Sequence, residues 1–281
     1  MSGETLAEAL AEATQILERA GVPSPRVDAE LLAAHLMAES LGRIRSLALT
    51  GALVPPEFGE LVAERARRVP LQHITGKAYF RHLELQVGPG VFIPRPETET
   101  VAQYAIDRAA KIRRAKVVDL GTGSGAIAAS IAQEVPEAEV FAVELSDLAH
   151  AWAGRNLEPW GVTLVQEDLR TALAEQDGTF DVVVSNPPYI PAEAVPRDPE
   201  VAEHDPQIAL YGGGADGLQL PAATASTAAR LLKSGGYFIM EHAEVQAEAV
   251  SHLLHSAGCW DDVATVYDLT GRERATAAVR R

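Results

Sequence analysis

A single cysteine, Cys259, is all the sequence offers to disulfide or thiolate chemistry. One thiol excludes an internal disulfide and any cysteine metal cluster. With Trp260 and an apolar run behind it, a buried side chain is expected. Positive charge is scarce as well: 24 Lys and Arg stand against 39 Asp and Glu, a formal net charge of −15. Such a surface lacks the basic footprint by which proteins grip nucleic acid through its phosphates, and it steers basic protein partners inward. No apolar run approaches the ~20 residues that span a bilayer. The opening MSGETLAEAL has neither the basic nor the apolar region of a secretory signal. A cytoplasmic protein is expected, with no membrane partner, no direct nucleic-acid partner and nothing that demands more than a monomer. Internal repeats and low-complexity tracts are missing too.

What is present changes character along the chain. Residues 2 to about 70 read as amphipathic helices: Leu6, Leu10, Ala13, Ile16 and Leu17 recur at helical spacing until GVPSP (21–25) interrupts them. A second helix is expected over about 26–39, with His35 on its apolar side and therefore in the core. A further helix follows Pro55-Pro56 and ends near RRVP (67–70). KAYFRHLELQV (77–87), closed by GPG (88–90), suggests a hairpin. IPRPETE (93–99) then leads into a helix reaching about Ile112. From Lys116 short apolar strands alternate with helices: KVVDL (116–120), EVFAVEL (139–145), VTLVQ (162–166), FDVVVS (180–185) and GGYFIMEH (235–242). That alternation specifies an α/β fold, a mostly parallel, doubly wound sheet covered by helices on both faces. Two final strands, about 262–268 and 274–279, have no helix between them and suit an antiparallel edge hairpin. The expected parts are a helical domain over 1–75, a β-hairpin linker over 76–94 and the sheet domain over 95–281.

VVDLGTGSGAIA places Gly121, Gly123 and Gly125 directly after the first strand of the sheet and at the start of a helix, where ligands bind in such folds. Glycine permits sharp turns and close backbone approach, and free N–H groups at a helix start suit a carboxylate or phosphate. The next strand ends at Glu144, where an acid accepts hydrogen bonds from ribose hydroxyls. The dinucleotide fingerprint is G-x-G-x-x-G, but here the third glycine comes one residue early. That spacing, with Asp119 two residues before the first glycine, resembles S-adenosylmethionine-dependent methyltransferases with a seven-stranded sheet. The resemblance puts Gly121, Thr122, Gly123, Ser124 and Gly125 beside the cofactor, with Asp168 and Leu169 beside its adenine.

The fourth strand runs into Asn186-Pro187-Pro188-Tyr189 at the same sheet edge. Methyl transfer from a sulfonium to a planar amide or aromatic NH2 faces a delocalised, weakly nucleophilic nitrogen. Two acceptors held near its N–H protons fix the group and stabilise positive charge as it develops. The Asn186 side-chain oxygen and the Pro187 carbonyl are candidates, stiffened by the two prolines. Tyr189 can stack on the planar group and present a π face to the cation. Asn186 also stands next to the cofactor.

This clamp resembles those of adenine- and cytosine-N-methylating enzymes and of protein glutamine methyltransferases. PLQHITGKAYF, GVFIPRPETE, GTGSGAIA, SNPPYI, HDPQIALYGGGADGL and DLTGRERATAAV, in that order, resemble the peptide chain release factor N5-glutamine methyltransferases over nearly the whole chain. The resemblance implies methylation of the glutamine side-chain amide in the Gly-Gly-Gln motif of class-1 release factors, with S-adenosylmethionine as donor and S-adenosylhomocysteine as product. It implies that Asn186 to Tyr189 hold the glutamine and that the front helical domain helps dock the release factor. Glu144 stands where the family often has Asp, Leu169 where it often has an aromatic residue, and Tyr211 where Asp is frequent. Arg95 is read as fixing its loop by pairing with a carboxylate, the alternative being direct contact with cofactor or substrate, and Glu241-His242 as structural, since no metal-ligand spacing accompanies them. Two rivals remain. A nucleic-acid amino-methyltransferase would need a basic groove, and a cofactor-binding protein without catalysis would have no use for an intact Asn-Pro-Pro-Tyr.

Overall fold

The computed structural model describes residues 4–281; Met1, Ser2 and Gly3, at the head of the expected front helix, lie outside them. The chain divides into two compact units, one running to Lys77 and including Pro196–His204, the other formed by Ala78–Val195 and Asp205–Arg281. This differs from boundaries at 75 and 94. The hairpin joins the second unit, and a short stretch from late in the sequence completes the first.

The first unit is helical: α1 (Leu6–Arg19), α2 (Pro25–Met37), α3 (Leu41–Leu49), α4 (Phe58–Ala66) and α5 (Leu71–Thr75). Thr5 starts α1 through a capping box, its hydroxyl accepting from Glu8 N while the Glu8 carboxylate accepts from Thr5 N. Pro25 opens α2 at the position where its missing N–H costs nothing. Leu6, Leu10, Leu17, Leu32, Ile44 and Phe58 meet in the core. His35 is exposed, contrary to expectation. Its neighbours Leu32 and Ala33 take the buried face instead. The buried Arg65 binds Asp28 and Glu200 at 2.7 Å each and donates to the Val69 carbonyl at 3.0 Å. Glu200 also accepts from Arg68 at 3.1 Å. Glu200 brings the segment 196–204 into this unit.

The second unit opens with a hairpin, β1 (Lys77–Phe80) and β2 (Leu83–Gln86), then α6 (Thr98–Ala109). The hairpin turns at Arg81, in the left-handed region at φ 52°, and Gly88-Pro89-Gly90 follows the second strand as expected. The sheet and its helices follow as β3 (Lys116–Leu120), α7 (Ala126–Glu134), β4 (Glu139–Glu144), α8 (Asp147–Leu157), β5 (Thr163–Gln166) and β6 (Phe180–Ser185). The chain then contributes α9 (Pro199–His204) to the first unit, and the second is completed by α10 (Gln207–Leu210), α11 (Gln219–Leu231), β7 (Leu232–Glu241), α12 (Ala247–Ser256), β8 (Trp260–Tyr267) and β9 (Glu273–Arg280).

The strand order is β5-β4-β3-β6-β7-β9-β8, parallel from β5 to β7, with β9 antiparallel to both its neighbours. The expected seven-stranded sheet with an antiparallel edge hairpin is thus observed. Alternate residues serve opposite faces. Val117, Val182 and Val184 pack with α6 and α7, whereas Val118, Leu120 and Val183 pack with α11 and α12. Because β3 and β6 are covered on both sides, their apolar runs are nearly continuous. The strand order reverses at β3, and a crevice therefore opens at the carboxyl ends of β3, β4 and β6. Cys259, just before β8, is half-buried and not fully enclosed. Its neighbour Trp260 takes the interior by stacking on Phe238 at 5.2 Å.

Candidate active site

The glycine loop is bent by φ values of 74°, 57° and 84° at Gly121, Gly123 and Gly125, a region L side chains avoid. A Cβ at Gly123 would meet nothing within 4 Å, so the loop faces open space there. Its amides are more committed than the sequence suggests. Gly121 N and Thr122 N donate to the Val143 carbonyl at 2.9 and 2.8 Å, and Gly125 N donates to Thr122 O at 2.9 Å. Gly123 N donates to Glu144 Oε2 at 2.8 Å. An anionic group would therefore find its donors mainly in the first turn of α7 and less in the loop.

Glu144, at the end of β4, is largely spent on backbone. Besides Gly123 it accepts from Leu145 N at 2.9 Å and Ser146 N at 2.8 Å. Burial pushes its pKa up while these three N–H groups pull it back. A carboxylate offers about four lone-pair directions. One is left here for a ribose hydroxyl, and a second becomes free only if Gly123 is released. Asp119, fully buried at the end of β3, accepts from Thr122 Oγ1 at 2.6 Å and is approached by the Ala128 N–H, yet its Oδ1 has no hydrogen bond of good geometry. Burial holds its pKa at about 7. An unsatisfied buried carboxylate oxygen beside the loop is matched by a positively charged amino group. The residues therefore fit a nucleoside carrying a charged amino-acid tail.

Leu169 is buried, its side chain 3.7 Å from where a Cβ on Gly121 would lie. Asp168 is occupied differently from the adenine contact implied for it. It accepts from Arg170 N and Nε at 2.9 Å, and Arg170 holds its pKa down. Ser124 is buried and gives its carbonyl to Asn156 Nδ2 at 2.8 Å.

At the end of β6 the Ser185 hydroxyl donates to the Leu120 carbonyl at 2.6 Å, tying the strand that carries Asn186 to the strand that carries the glycine loop. The Asn186 side chain donates from Nδ2 to Thr98 Oγ1 at 3.3 Å, which leaves Oδ1 to accept. Tyr189 donates its phenol to Glu241 Oε1 at 3.4 Å, and burial drives the phenol pKa well above its usual value. The clamp is braced from the chain beyond it. Ile190 N donates to Leu210 O at 2.8 Å, Gly212 N to Ile190 O at 3.0 Å, and Gln246 Nε2 to Tyr189 O at 2.8 Å. Gly212 and Gly217 lie so close that a Cβ on either would sit 2.0–2.8 Å from backbone atoms, among them Pro188 O for Gly212 and Tyr189 O for Gly217. A cavity of ≈ 290 Å³ beside Tyr189 is lined by Ile190, Pro191, Leu218 and Val245 among others.

The structure thus gathers Gly121 to Gly125, Glu144 and Leu169 around one carboxyl edge, with Asn186, Pro187, Pro188 and Tyr189 following the adjacent strand. Arg95 pairs with the buried Asp205 at 2.6 Å and lies over the Phe92 ring. His242 is buried and bonded to Thr276 Oγ1 at 2.8 Å and to the Ala243 carbonyl. Among the described residues no group of His, Cys, Asp and Glu could hold a metal, and no helix is long and apolar enough to cross a membrane. Thr98, Gln246, Gly212 and Gly217 touch the clamp although the sequence reading assigned them no role. Only the glycine-rich run 212–217 carried a signal, three successive glycines that a surface loop does not require.

Residues 8–76 match the PrmC N-terminal domain family, and residues 83–200 match the methyltransferase small domain family. A release factor glutamine methyltransferase of Streptomyces coelicolor is 50% identical over 272 residues, 96% of each chain. A 4-amino-L-phenylalanine/4-methylamino-L-phenylalanine methyltransferase of Streptomyces pristinaespiralis is 43% identical over 263 residues, 91% of this chain and 89% of its own. A T. thermophilus 16S rRNA N2 G1207 methyltransferase, solved with AdoMet and guanosine, is 23% identical with a TM-score of 0.53 over 73% of this chain and 50% of its own, which speaks to fold alone.

Proposed function

Since the chain belongs to the release factor glutamine methyltransferase family, we propose that it methylates the side-chain amide of the Gly-Gly-Gln glutamine in class-1 release factors, using S-adenosylmethionine. The observation that carries this reading is the Asn186 amide, tied at Nδ2 to Thr98 so that Oδ1 is left to accept, directly after the strand that pairs with the glycine-loop strand. Glu144, Asp119 Oδ1 and the start of α7 would hold the donor's ribose, amino and carboxylate groups in turn. When bound, S-adenosylmethionine supplies an electrophilic methyl carbon that leaves a neutral thioether behind.

The chain's own part is to make a poor nucleophile ready. Asn186 Oδ1 and the Pro187 carbonyl accept the two amide protons of the substrate, hold its NH2 in one orientation and stabilise the charge that appears as the N–C bond forms. Positioning of this kind is worth roughly 7–11 kcal/mol when the approach is near-attack. The Tyr189 ring gives the planar amide a surface to lie on. The extra proton is lost to water after transfer, so the site needs no general base. We place the protein in the cytoplasm as a monomer, its helical unit docking the release factor.

The test is transfer of radiolabelled methyl to purified release factor, beside its Gly-Gly-Ala version, a ribosomal protein, DNA and 4-amino-L-phenylalanine. Label on the unaltered factor alone is expected. Label on the free amino acid, and none on the factor, would keep the clamp chemistry and overturn the substrate.

A further inference from the structure

Asn186 works only one way round. With Oδ1 toward the substrate it accepts the NH2 protons; turned by 180° it would set one NH2 against another. Something must choose between these orientations, and the Asn186 amide alone cannot, since it donates and accepts equally well.

Thr98, the first residue of α6, takes the Nδ2–H. Its hydroxyl oxygen is then the acceptor, and its own proton has to go elsewhere. Beyond it lies Glu241, the last residue of β7, 1% exposed. The Thr98 hydroxyl acts on that carboxyl and lowers its pKa, Tyr189 donates to Oε1, and Oε2 is left without a hydrogen bond of good geometry. An ionised carboxylate accepts and never donates. With Glu241 ionised, the arrangement that satisfies each group runs its protons toward the carboxylate, from Asn186 to Thr98 to Glu241 and from Tyr189 to Glu241.

On the proposed reaction, we infer that Glu241 is a positioning residue that acts through Thr98 to fix the polarity of the Asn186 amide, and directly to hold the Tyr189 ring. The contacts at 3.3 and 3.4 Å are long. Hydrogen bonds of this sort tighten when the substrate arrives, and closing the chain would satisfy the orphaned Oε2. The groups facing Glu241 come from each neighbouring element: Thr98 and Glu97 at the start of α6, Tyr189 after β6, and Arg274 on β9. Burial raises Glu241 to about 7, so the acceptor form gains population as pH climbs through neutrality.

Three variants test the inference. Thr98→Val keeps the shape and breaks the chain, Thr98→Ser restores the hydroxyl, and Glu241→Gln replaces an obligate acceptor with an amide that donates as readily as it accepts. On release factor, kcat should fall ~10–100-fold in Thr98→Val and Glu241→Gln, the scale of a misplaced reacting group. KM and cofactor affinity should stay within about threefold, since neither contact is made only in binding. Thr98→Ser should recover most of the rate, and the rise of wild-type kcat with pH near 7 should flatten in Glu241→Gln. A second readout needs no turnover. In protein carrying 15N-asparagine, one Asn186 side-chain proton should exchange slowly in wild type and Thr98→Ser and rapidly in Thr98→Val. Wild-type rates in Thr98→Val, or no recovery in Thr98→Ser, would overturn the inference. So would equal proton exchange in all three proteins. If wild type fails to methylate release factor, the reaction assignment falls, and the exchange experiment still decides the chain. If Glu241→Gln does not fold, the two Thr98 variants decide.

Discussion

Every near neighbour of a Cβ at Gly217 is backbone of the clamp or of the two residues after it, which makes Gly217→Ala a sharp test of how rigidly the clamp must be held. A Cβ there would lie 2.1 Å from Tyr189 O and 2.9 Å from both Ile190 C and Pro191 N, where real Cβ atoms do not come within 3.0 Å. None of these neighbours is a flexible side-chain end. The backbone of the clamp must therefore retreat by about 1 Å, a misplacement that costs ~10²-fold in rate at a reacting centre. The residue also sits at φ 77°, where alanine pays roughly 1–2 kcal/mol. Overpacking adds about 1–3 kcal/mol. Gly235→Ala separates the two effects, since Gly235 has φ 79° and nothing within 4 Å of its Cβ position. It bears the conformational cost alone. Methyl transfer, cofactor binding and thermal unfolding would be measured on both. Gly217→Ala should lose about 10²-fold in kcat with cofactor affinity retained and a larger drop in Tm, roughly 2–4 °C for each kcal/mol in a chain of this size. Gly235→Ala should keep its rate. Wild-type kcat in folded Gly217→Ala would refute the argument that the clamp is held in place from behind.

Asn186→Ala should leave S-adenosylmethionine affinity close to wild type while methyl transfer falls by orders of magnitude; unaltered turnover would sink the clamp. Glu144→Ala should weaken cofactor binding by about 1–3 kcal/mol, as expected for lost hydrogen bonds to a charged group, and calorimetry would read it. Stability should depend on pH through Glu241. Its pKa rises from 4.5 unfolded to about 7 folded, so the folded protein holds an extra proton between those values. That stability is fully present below about pH 4.5 and is lost as pH climbs through 7, roughly 3 kcal/mol in all. Asp119, also held at about 7, adds in the same direction. Urea unfolding across pH 5 to 8 should show a shallower decline in Glu241→Gln than in wild type, and equal slopes would remove Glu241 from the account.

The strands of the sheet were legible because each is an apolar run between glycine, proline or charge, and β6 in particular reads directly as Val182-Val183-Val184. Their order was not, since β9 inserts between β7 and β8 through pairings that no local pattern encodes. The hairpin was foreseen but its turn was not located, because Arg81 occupies a left-handed conformation that sequence assigns first to glycine. His35 and Cys259 failed for a common reason: periodicity names a face, and a neighbour on the same face can fill the space first. The clamp itself was visible as four consecutive residues. Its supports were not, because Thr98 reaches Asn186 across 88 positions and Gly217 matters through the space it leaves. Glu144 was found in the right place with an unforeseen occupation, its carboxylate tied to backbone N–H groups that its longer arm brings within reach.

The pairing of Arg65 with Glu200 also sets an order of events during synthesis. The helices of the first unit emerge early, yet the buried guanidinium of Arg65 receives its second carboxylate only from residues 196–204. At about 5–20 residues per second, roughly ten seconds of elongation through residues 78–195 separate the two. Over that interval the nascent front unit holds an arginine in its interior with Asp28 as its only carboxylate partner. It cannot reach its final stability while the sheet strands β3 to β6 are still being made. Completion of the amino-terminal unit is thereby made to wait for the chain that carries Asn186 to Tyr189.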